Sequence, residues 1–480
     1  TGPDALNDLV APEVSPDAHR ADAAQDLAGG DVAAPADGRA TADLPVPFDS
    51  LEGVGIENLV VITNPSNVLS FFVEWTTGVP ASTELHVRCT GGYGVDLEDP
   101  GPRTVHRAFV MGFLPGASCQ AMVRAVDGGG NVGTASAPLD VGELPDFLPP
   151  LELRALDEDL VQPGWTLFNL TNDFDEPPLL VVLVDSRGRY RWYHQRAVND
   201  PGSDTDTRTV PEGVLVGGTH GKIFPALVSW EGSVLWEKPM NVHHDFRPFG
   251  AAGQYLMLTD KAGCNHVPHA GVVFLYDRFS ESVLWEWYAC AHIAPEVPWQ
   301  DWSHLNTASV WPDGEHLLVS SRMQDAVYKV AYPSGEVLWK LGRDDDFTWE
   351  DPEDRFWQQH DPEVQPGGGR ILLFDNGLEG ERAWSRALEL EIDEDAKTVR
   401  KVWEFVPDPK IFTPIWGDAD RQPNGNTLIT FGARSTSERT HLIEVTPGGQ
   451  EIWHLAPPVR WGIYRSERVP APVRGFLRAI

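Results

Sequence analysis

The stretch that decides the fold is residues 312–342, PDGEHLLVSSRMQDAVYKVAYPSGEVLWKLG. It opens on the turn Pro312-Asp313-Gly314, continues through apolar segments, turns again at Pro333-Ser334-Gly335 and ends in a segment that carries Trp339. Short apolar runs bounded by Gly and Pro turns are typical of antiparallel β-strands. The stretch therefore predicts part of a small antiparallel sheet.

Both turn signals and the tryptophan recur along the chain, and this repeat predicts the architecture. A unit of four strands in roughly 40–50 residues has the size of one propeller blade. Radial closure of such units also protects sheet edges. Six copies predict a six-bladed β-propeller over residues 148–480. The tryptophan marker occurs at Trp192, Trp236, Trp285, Trp339, Trp403 and Trp453, and the second turn marker at Pro312-Asp313-Gly314, Pro366-Gly367-Gly368 and Pro423-Asn424-Gly425.

Two further regions precede the repeats, so the expected fold class is all-β with a small β-sandwich before the propeller. Residues 1–52 are rich in Ala, Asp and Pro, and such a segment is expected to be a disordered acidic tether. Residues 53–147 resemble a fibronectin type III module, with Trp75 as a core residue and a reasonable Cys89–Cys119 bridge between neighbouring strands. Strands are expected at Leu59–Thr63, Leu69–Trp75, Glu84–Cys89, Thr104–Met111 and Cys119–Val126.

Composition limits the function and the compartment. The net charge of −34 argues against a nucleic-acid partner, because a phosphate-binding face must be basic. No run of 18 apolar residues occurs, although the N-terminal segment could serve as a membrane tether. The four cysteines form no CxxC motif and suit two disulfides, which predicts an extracytoplasmic protein: periplasmic, secreted or a surface lipoprotein. The alternative is four free thiols in a cytosolic protein. The oligomeric state is not readable from the sequence.

Histidines follow three consecutive tryptophan strands. They are His244 in His243-His244-Asp245, His304 in Ser303-His304-Leu305-Asn306, and His360 in Gln359-His360-Asp361. Equivalent positions in successive blades converge at one end of the central channel, so the repeat predicts a cluster of imidazoles. A single buried histidine is more often a satisfied core residue, but three at one repeat position favour a functional site. Arg322 ends an apolar strand nearby and would otherwise be an ordinary surface arginine.

These motifs together resemble the bacterial arylsulfotransferases, the aryl-sulfate sulfotransferases that use no nucleotide donor. The similar elements span roughly residues 150–470 and include the 335–342 run and the closing motif of residues 461–468. The resemblance implies ping-pong transfer of a sulfuryl group from an aryl sulfate donor to a phenolic acceptor, with His360 as the group that becomes sulfated. It further implies that His304, Asn306, Arg322 and His244 surround the transferring group, and that no cofactor or metal is required.

Elementary chemistry agrees with those implied roles. Neutral imidazole can attack an anionic sulfate ester near pH 7 without charge repulsion. Arg322 can stabilise charge on the sulfuryl oxygens, as cationic groups do in phosphoryl transfer. No Gly-rich phosphate loop is present for a nucleotide donor. Candidate residues for contact with phenolic rings are Trp302, Phe356, Trp357 and Trp416.

The chain departs from the family pattern near the nucleophile, where a short disulfide loop found in some members is missing. Cys264 and Cys290 lie in the preceding blade instead, where a bridge would pin loops beside the channel mouth. Two alternatives stay open. One is a metal enzyme that uses the three histidines or Cys264-Asn265-His266-Val267-Pro268-His269, although Arg322 would repel a cation. The other is a non-catalytic surface binding protein, and a hydrolase is a variant of the main hypothesis.

Overall fold

We describe a computed structural model of the 480-residue chain. It describes residues 53–172, 179–196, 205–218, 223–262, 264, 269–295, 301–432, 438–469 and 475–478. The predicted N-terminal tether and His266 lie outside these residues. The described chain divides into two compact units, a larger one of residues 149–188 and 195–469 and a smaller one of residues 53–148, 189–194 and 475–478. The domain limit between residues 147 and 148 stays a prediction.

The smaller unit is built on one hydrogen-bonded sheet with the strand order β33-β3-β2-β4-β5, in which β1 also pairs with β2. Its strands are β1 (Ile56–Thr63), β2 (Ser70–Cys89), β3 (Gly94–Met111), β4 (Ser118–Asp127), β5 (Val132–Asp140) and β33 (Gly475–Arg478). Two of the predicted strands, Leu69–Trp75 and Glu84–Cys89, are halves of the single long strand β2, so that prediction was wrong in number. An irregularity between Thr76 and Ala81 lets one half pair with β1 and the other with β4. The fibronectin type III-like assignment stays a prediction.

The larger unit contains, among its described residues, six sheets that follow one another along the chain, and the prediction of a six-bladed β-propeller is confirmed. The pairing is antiparallel except between β22 (Thr348–Trp349) and β26 (Thr398–Phe405) in blade 5, which pair in parallel. In blades 2 to 6 the four main strands are neighbours in chain order. Blade 1 has β7 (Trp165–Asn172), β8 (Leu179–Val184), β31 (Trp461–Gly462) and β32 (Ser466–Val469), and β9 (Tyr190–Arg196) follows β8 in the chain. Blade 2 has β10 (Thr207–Val210), β11 (Gly213–Val216), β12 (Ala226–Ser229) and β13 (Val234–Glu237). Blade 3 has β14 (His243–Pro248), β15 (Gln254–Ala262), β16 (His269–Asp277) and β17 (Ser282–Tyr288), followed by the short helix α1 (Ala289–His292).

The remaining three blades complete the ring. Blade 4 has β18 (Leu305–Val310), β19 (His316–Ser321), β20 (Ala326–Ala331) and β21 (Val337–Gly342); blade 5 has β22 (Thr348–Trp349), a 3-10 turn (Pro352–Asp354), β23 (His360–Val364), β24 (Arg370–Asp375), β25 (Arg386–Asp393) and β26 (Thr398–Phe405); blade 6 has β27 (Asp418–Arg421), β28 (Thr427–Phe431), β29 (His441–Val445), β30 (Glu451–Ala456) and β6 (Glu152–Leu156). Closure comes from β32, which pairs antiparallel with β7 and so joins distant parts of the chain in one blade.

The apolar core lies between neighbouring sheets. One buried cluster combines side chains of blades 3 and 4, and another combines side chains of blades 4 and 5. Several inner strands carry buried residues on both faces, such as the fully buried β8 and β11, and these strands show apolar runs rather than clean alternation.

The tryptophan marker has a structural role between blades. In blades 2 to 6 the marker lies on the last of the four main strands. Trp285 Nε1 donates to the carbonyl oxygen of Pro333 at 2.8 Å, which lies in the β20–β21 turn of the next blade. Trp403 reaches Pro447 at 3.0 Å and Trp453 reaches Ser186 at 2.7 Å in the same way. The tryptophan of one blade thus caps a hairpin turn of the next, which explains why both markers recur together.

All four cysteines are bridged. Cys89–Cys119 connects β2 to β4, and Cys264–Cys290 connects the chain after β15 to α1. The even number of cysteines suited two disulfides, and the structure contains two; the Cys264–Cys290 pair had not been assigned from the sequence. In the described part of the chain, no helix has the length and apolar character needed to cross a membrane.

Candidate active site

The innermost strands of blades 3, 4 and 5 each begin with an interruption of regular pairing, and this interruption orients the side chains of the candidate residues. The ladder is interrupted between His243 and Phe246 in β14, between Leu305 and Thr307 in β18, and between His360 and Glu363 in β23. Such bulges turn side chains away from the regular alternation and are common beside active sites. His244 and His304 also have positive φ values of 62° and 35°.

The predicted imidazole cluster forms. The ring centroids of His244 and His304 are 5.0 Å apart in an edge-on arrangement. Tyr464 lies between this pair and the third histidine, with its ring centroid 5.8 Å from His244 and 6.3 Å from His360. The three blades therefore bring their histidines to one end of the channel around a shared tyrosine.

His360 is the most buried of the three candidate histidines, with 1% of its surface exposed. Its Nδ1 lies 2.7 Å from Oδ1 of Asn376 and 3.2 Å from the carbonyl oxygen of Gln358. Burial, followed by the positive charge of Arg322, holds the pKa of His360 well below its usual range. The imidazole is therefore neutral across the physiological pH range.

Arg322 extends from the end of β19 toward His360. Its NH2 group donates to Gln358 Oε1 at 2.6 Å and to the carbonyl oxygen of Pro414 at 2.9 Å. Its backbone N–H donates to the carbonyl oxygen of His304 at 3.1 Å. These bonds hold the guanidinium group close to the buried imidazole.

The other two histidines have partners of their own. Nδ1 of His304 contacts the carboxylate of Asp301, which leaves Nε2 as its second nitrogen. Nδ1 of His244 lies 2.7 Å from Nδ1 of His243, whose Nε2 is 3.2 Å from Asp260. Both rings are therefore oriented by neighbouring side chains.

Asn306 is fully buried, and its side chain binds the backbone directly before His360. Its Nδ2 donates to the carbonyl oxygen of Gln359 at 2.7 Å. Gln359 in turn donates through Nε2 to Ser320 Oγ at 2.9 Å and to the carbonyl oxygen of Ala326 at 3.0 Å. Asn306 thus connects blade 4 to the start of β23, and its position next to His304 brings all five predicted site residues into one region.

A group that sequence analysis missed lies on the innermost strands next to the histidines, and we call it the axial charge cluster: Asp206, Arg208, Asp245, Arg247, Asp361 and Arg465. Arg247 donates to Asp245 at 3.0 Å and to Asp361 at 3.2 Å. Arg465 lies 3.3 Å from Asp361 and 3.4 Å from Asp245. Burial alone would raise the pKa of Asp361, but these guanidinium groups hold it below its usual value.

The sequence contained part of the signal for this cluster. Asp245 and Asp361 directly follow His244 and His360, and Arg465 lies in the closing motif. Arg208 and Arg247 carried no signal, because a charged residue in a short strand is normally read as solvent-facing. Only closure of the ring brings the innermost strands of different blades together.

Metal ligation is possible at one place among the residues that the structure describes. Carboxylate oxygens of Asp361, Glu363 and Asp420 lie within 4.8 Å of one another. Arg247 contacts two of them, at 3.2 Å from Asp361 and 3.7 Å from Glu363, so a cation there would meet a guanidinium group. The three histidines do not form such a group within the described ranges.

The predicted ring-contacting aromatics are placed unevenly. Trp302, Phe356 and Trp416 are at most 2% exposed. Trp302 Nε1 donates to the carbonyl oxygen of His269, and Phe356 belongs to the core between blades 4 and 5. Trp357 is half-buried and directly precedes Gln358. Of the four, Trp357 has surface to offer a ligand, and Trp416 packs on Tyr464 with centroids 6.3 Å apart.

Comparison with protein families settles which family this site belongs to. The family model described as arylsulfotransferase (ASST) matches residues 161–456, more than half of the chain. The chain belongs to the arylsulfotransferase family. Aryl sulfotransfer is therefore the general chemistry of the domain that holds these residues. No curated protein matches the arylsulfotransferase chain.

Solved structures give remote similarities to this arylsulfotransferase. A putative 6-phosphogluconolactonase from Bacteroides uniformis is 11% identical with a TM-score of 0.39, covering 81% of this chain and all of that one (100%). The periplasmic gluconolactonase of Pseudomonas aeruginosa is 14% identical with a TM-score of 0.36, covering 83% and 99%. Hydrazine synthase of Kuenenia stuttgartiensis is 13% identical with a TM-score of 0.33; the match covers 51% of this chain and 64% of that one. These similarities are too distant to bear on the activity.

Proposed function

We propose that this arylsulfotransferase moves a sulfuryl group from an aryl sulfate to a phenolic acceptor by a ping-pong mechanism, through a sulfated His360. The observation that carries the proposal is the buried, neutral His360 held beside Arg322. A neutral nucleophile next to a fixed cation suits an anionic ester, because the cation attracts the sulfate while the imidazole does not repel it.

In the first half-reaction, the Nε2 lone pair of His360 forms a bond to sulfur while the bond from sulfur to the aryl oxygen breaks. The leaving phenolate takes the electron pair of that bond and receives a proton from His304, which Asp301 orients. Arg322 neutralises charge on the sulfuryl oxygens, and His244 is close enough to His304 to contact the same group.

In the second half-reaction, a phenol gives its proton back to His304, and its oxygen attacks the sulfur. The bond between sulfur and Nε2 breaks, and its electron pair returns to His360. Asn306 holds the backbone that carries His360 in place throughout. The cycle consumes no cofactor and no metal, and water in place of the phenol would make the enzyme a sulfatase.

The site is expected to work outside the cytoplasm. Both cysteine pairs are oxidised, and disulfides persist in oxidising compartments. A periplasmic, secreted or surface-anchored enzyme would meet aryl sulfates and phenols there. The predicted tether at residues 1–52 would fit an anchored form.

The test is turnover of a chromogenic aryl sulfate, with and without added phenol, in the presence of a chelator. We expect release of the chromophore that depends on phenol, and a loss of about 10⁴-fold or more in kcat for His360→Ala. After incubation with donor alone, intact-mass analysis should show one added SO₃ group in the wild type and none in the variant.

Each other outcome has a definite meaning. Release of the chromophore at the same rate with and without phenol would identify a hydrolase. Turnover that the chelator abolishes would favour a metal enzyme. No turnover from a folded wild-type protein would contradict the proposal for common donors and favour a binding role.

A further inference from the structure

We propose that Asn376 is the positioning residue that sets the tautomer of His360, so that the proton stays on Nδ1 and the Nε2 lone pair is the nucleophile. The proposal rests on the proposed role of His360 and adds to it the residue that selects which nitrogen reacts. Asn376 follows β24, the strand that pairs with β23, and it is fully buried.

The orientation of the Asn376 amide follows from its other partners. Its Nδ2 is 2.7 Å from the carbonyl oxygen of Thr413 and 2.7 Å from that of Trp416. Carbonyl oxygens only accept hydrogen bonds, so the NH₂ end of the amide must face these two groups. The amide oxygen then faces His360, and exchanging O and N would cost both bonds.

The tautomer of His360 follows from the amide. Asn376 Oδ1 is an acceptor 2.7 Å from Nδ1 of His360, so Nδ1 must carry the proton that is shared between them. The carbonyl oxygen of Gln358, 3.2 Å from the same nitrogen, is also only an acceptor. A neutral imidazole has one N–H, so Nε2 holds a lone pair.

The local sequence builds this contact through a sharp turn. Gly377 has φ of 77°, and a Cβ there would meet the carbonyl oxygens of Arg382 and Trp384 at 2.4 Å and 2.6 Å. Only glycine fits, and the turn holds Asn376 against His360. Ser385 Oγ completes the loop by donating to the Asn376 carbonyl oxygen at 2.7 Å and accepting from the Thr413 N–H at 2.8 Å.

An aspartate would be a poorer solution than the asparagine. Its second carboxylate oxygen would face the two carbonyl oxygens of Thr413 and Trp416 without a proton to offer either. The amide satisfies all three acceptor and donor positions at once. The loop that carries Pro414, an acceptor for Arg322, is held by the same NH₂ group, so one side chain arranges both the nucleophile and the neighbouring cation.

The first experiment measures the tautomer itself. The full chain, labelled with ¹⁵N in its histidine rings, is examined by NMR, and His360→Gln identifies the His360 signals. We expect a protonated Nδ1 and an unprotonated Nε2 in the resting wild-type protein. A proton on Nε2 would overturn the proposal. This readout needs no turnover, so it tests the tautomer of His360 even when the aryl sulfate assay fails.

The second experiment compares Asn376→Ala with Ser385→Ala, a matched control that removes hydrogen bonds from the same loop and leaves the His360 acceptor intact. We expect Asn376→Ala to lower kcat by roughly 10–100-fold with KM little changed, as loss of an orienting partner does. It should also mix the two tautomers. Ser385→Ala should keep the wild-type tautomer and lose much less of kcat. Equal losses in the two variants would make Asn376 merely structural.

A third variant keeps the test decisive if Asn376→Ala does not fold. Asn376→Asp retains an acceptor for Nδ1, so we expect the wild-type tautomer with a kcat between those of the wild type and Asn376→Ala. An Asn376→Asp protein that carries the His360 proton on Nε2 would contradict the proposal.

Discussion

The histidine cluster (His244, His304 and His360) and the axial charge cluster are neighbours on the same innermost strands. Their buried groups differ in charge state, because one cluster buries a neutral imidazole and the other buries ionised carboxylates. Asp361 follows His360 directly, and both are about 1% exposed. The guanidinium groups around Asp361 keep it charged, whereas burial and the charges of Arg322 and Arg465 keep His360 neutral. A positive potential lowers both pKa values, so the same arginines stabilise an ionised carboxylate and an uncharged imidazole. Asp361 thereby stays ionised and paired with arginines, and His360 keeps the unprotonated form that the proposed reaction requires.

The largest expected effect tests whether the axial charge cluster stabilises the fold. Arg247→Met removes the partner of Asp245 and Asp361 and leaves buried carboxylates with less compensation. We expect a loss of about 3 kcal/mol in the free energy of unfolding, measured by urea denaturation. Arg370→Met is the matched control, because Arg370 is half-exposed and its ion pairs with Glu389 and Glu391 should be worth about 0–1 kcal/mol. Equal losses would contradict the view that the axial cluster is a structural unit.

The next effect sharpens the electrostatic half of the comparison. In Arg322→Gln the cation beside His360 is lost, so kcat should fall by about 10²–10³-fold. His360 must be unprotonated to attack, so the rate falls as the pH drops through its pKa. Burial and then the charge of Arg322 lower that pKa, so the acid limb of the kcat/KM profile should move to higher pH when Arg322 is replaced.

Arg322→Lys provides the control for the pH effect. Lysine keeps the charge but loses the planar fork that bonds Gln358 and Pro414, so part of kcat should be lost while the acid limb stays near its wild-type position. An acid limb that does not move in Arg322→Gln would show that Arg322 does not contribute to the low pKa of His360.

The smallest effect concerns the second histidine. Asp301→Asn removes the carboxylate that contacts Nδ1 of His304. We expect kcat to fall about tenfold for donors with poor leaving groups, since orientation of a proton donor contributes by amounts of this order. Donors whose phenolate leaves without protonation should be affected less. A uniform loss across donors would argue against His304 as the proton donor.

Much of this arrangement was readable from the repeat. The tryptophans and turns predicted the blades, because each Trp–turn contact recurs from blade to blade, as Trp285 with Pro333 and Trp403 with Pro447 show. The three histidines were predicted to converge because they share one position in the repeat. The resemblance to the family then added Asn306 and Arg322.

Other parts had no signal in a single sequence. Asn376 lies after the second strand of one blade, with no counterpart to mark it, and its role depends on contacts with a loop some 40 residues further on at Thr413 and Trp416. Arg208 and Arg247 look like surface charges until the ring is closed. The sequence predicted two strands in place of the long strand β2, because the irregularity after Thr76 resembles a turn in the sequence, although pairing with β3 resumes at Ala81.

Closure by β32 also limits the order in which the blades can be completed during synthesis. A polypeptide is made from its N-terminus, so β7 and the first blades exist well before their partner strand does. Until residues 466–469 arrive, one side of β7 is an open sheet edge of the kind that invites pairing with other chains. Tyr464 and Arg465 arrive in the same final step. A nascent chain therefore cannot assemble the complete candidate site early, and the open edge of β7 must be protected until the ring is closed.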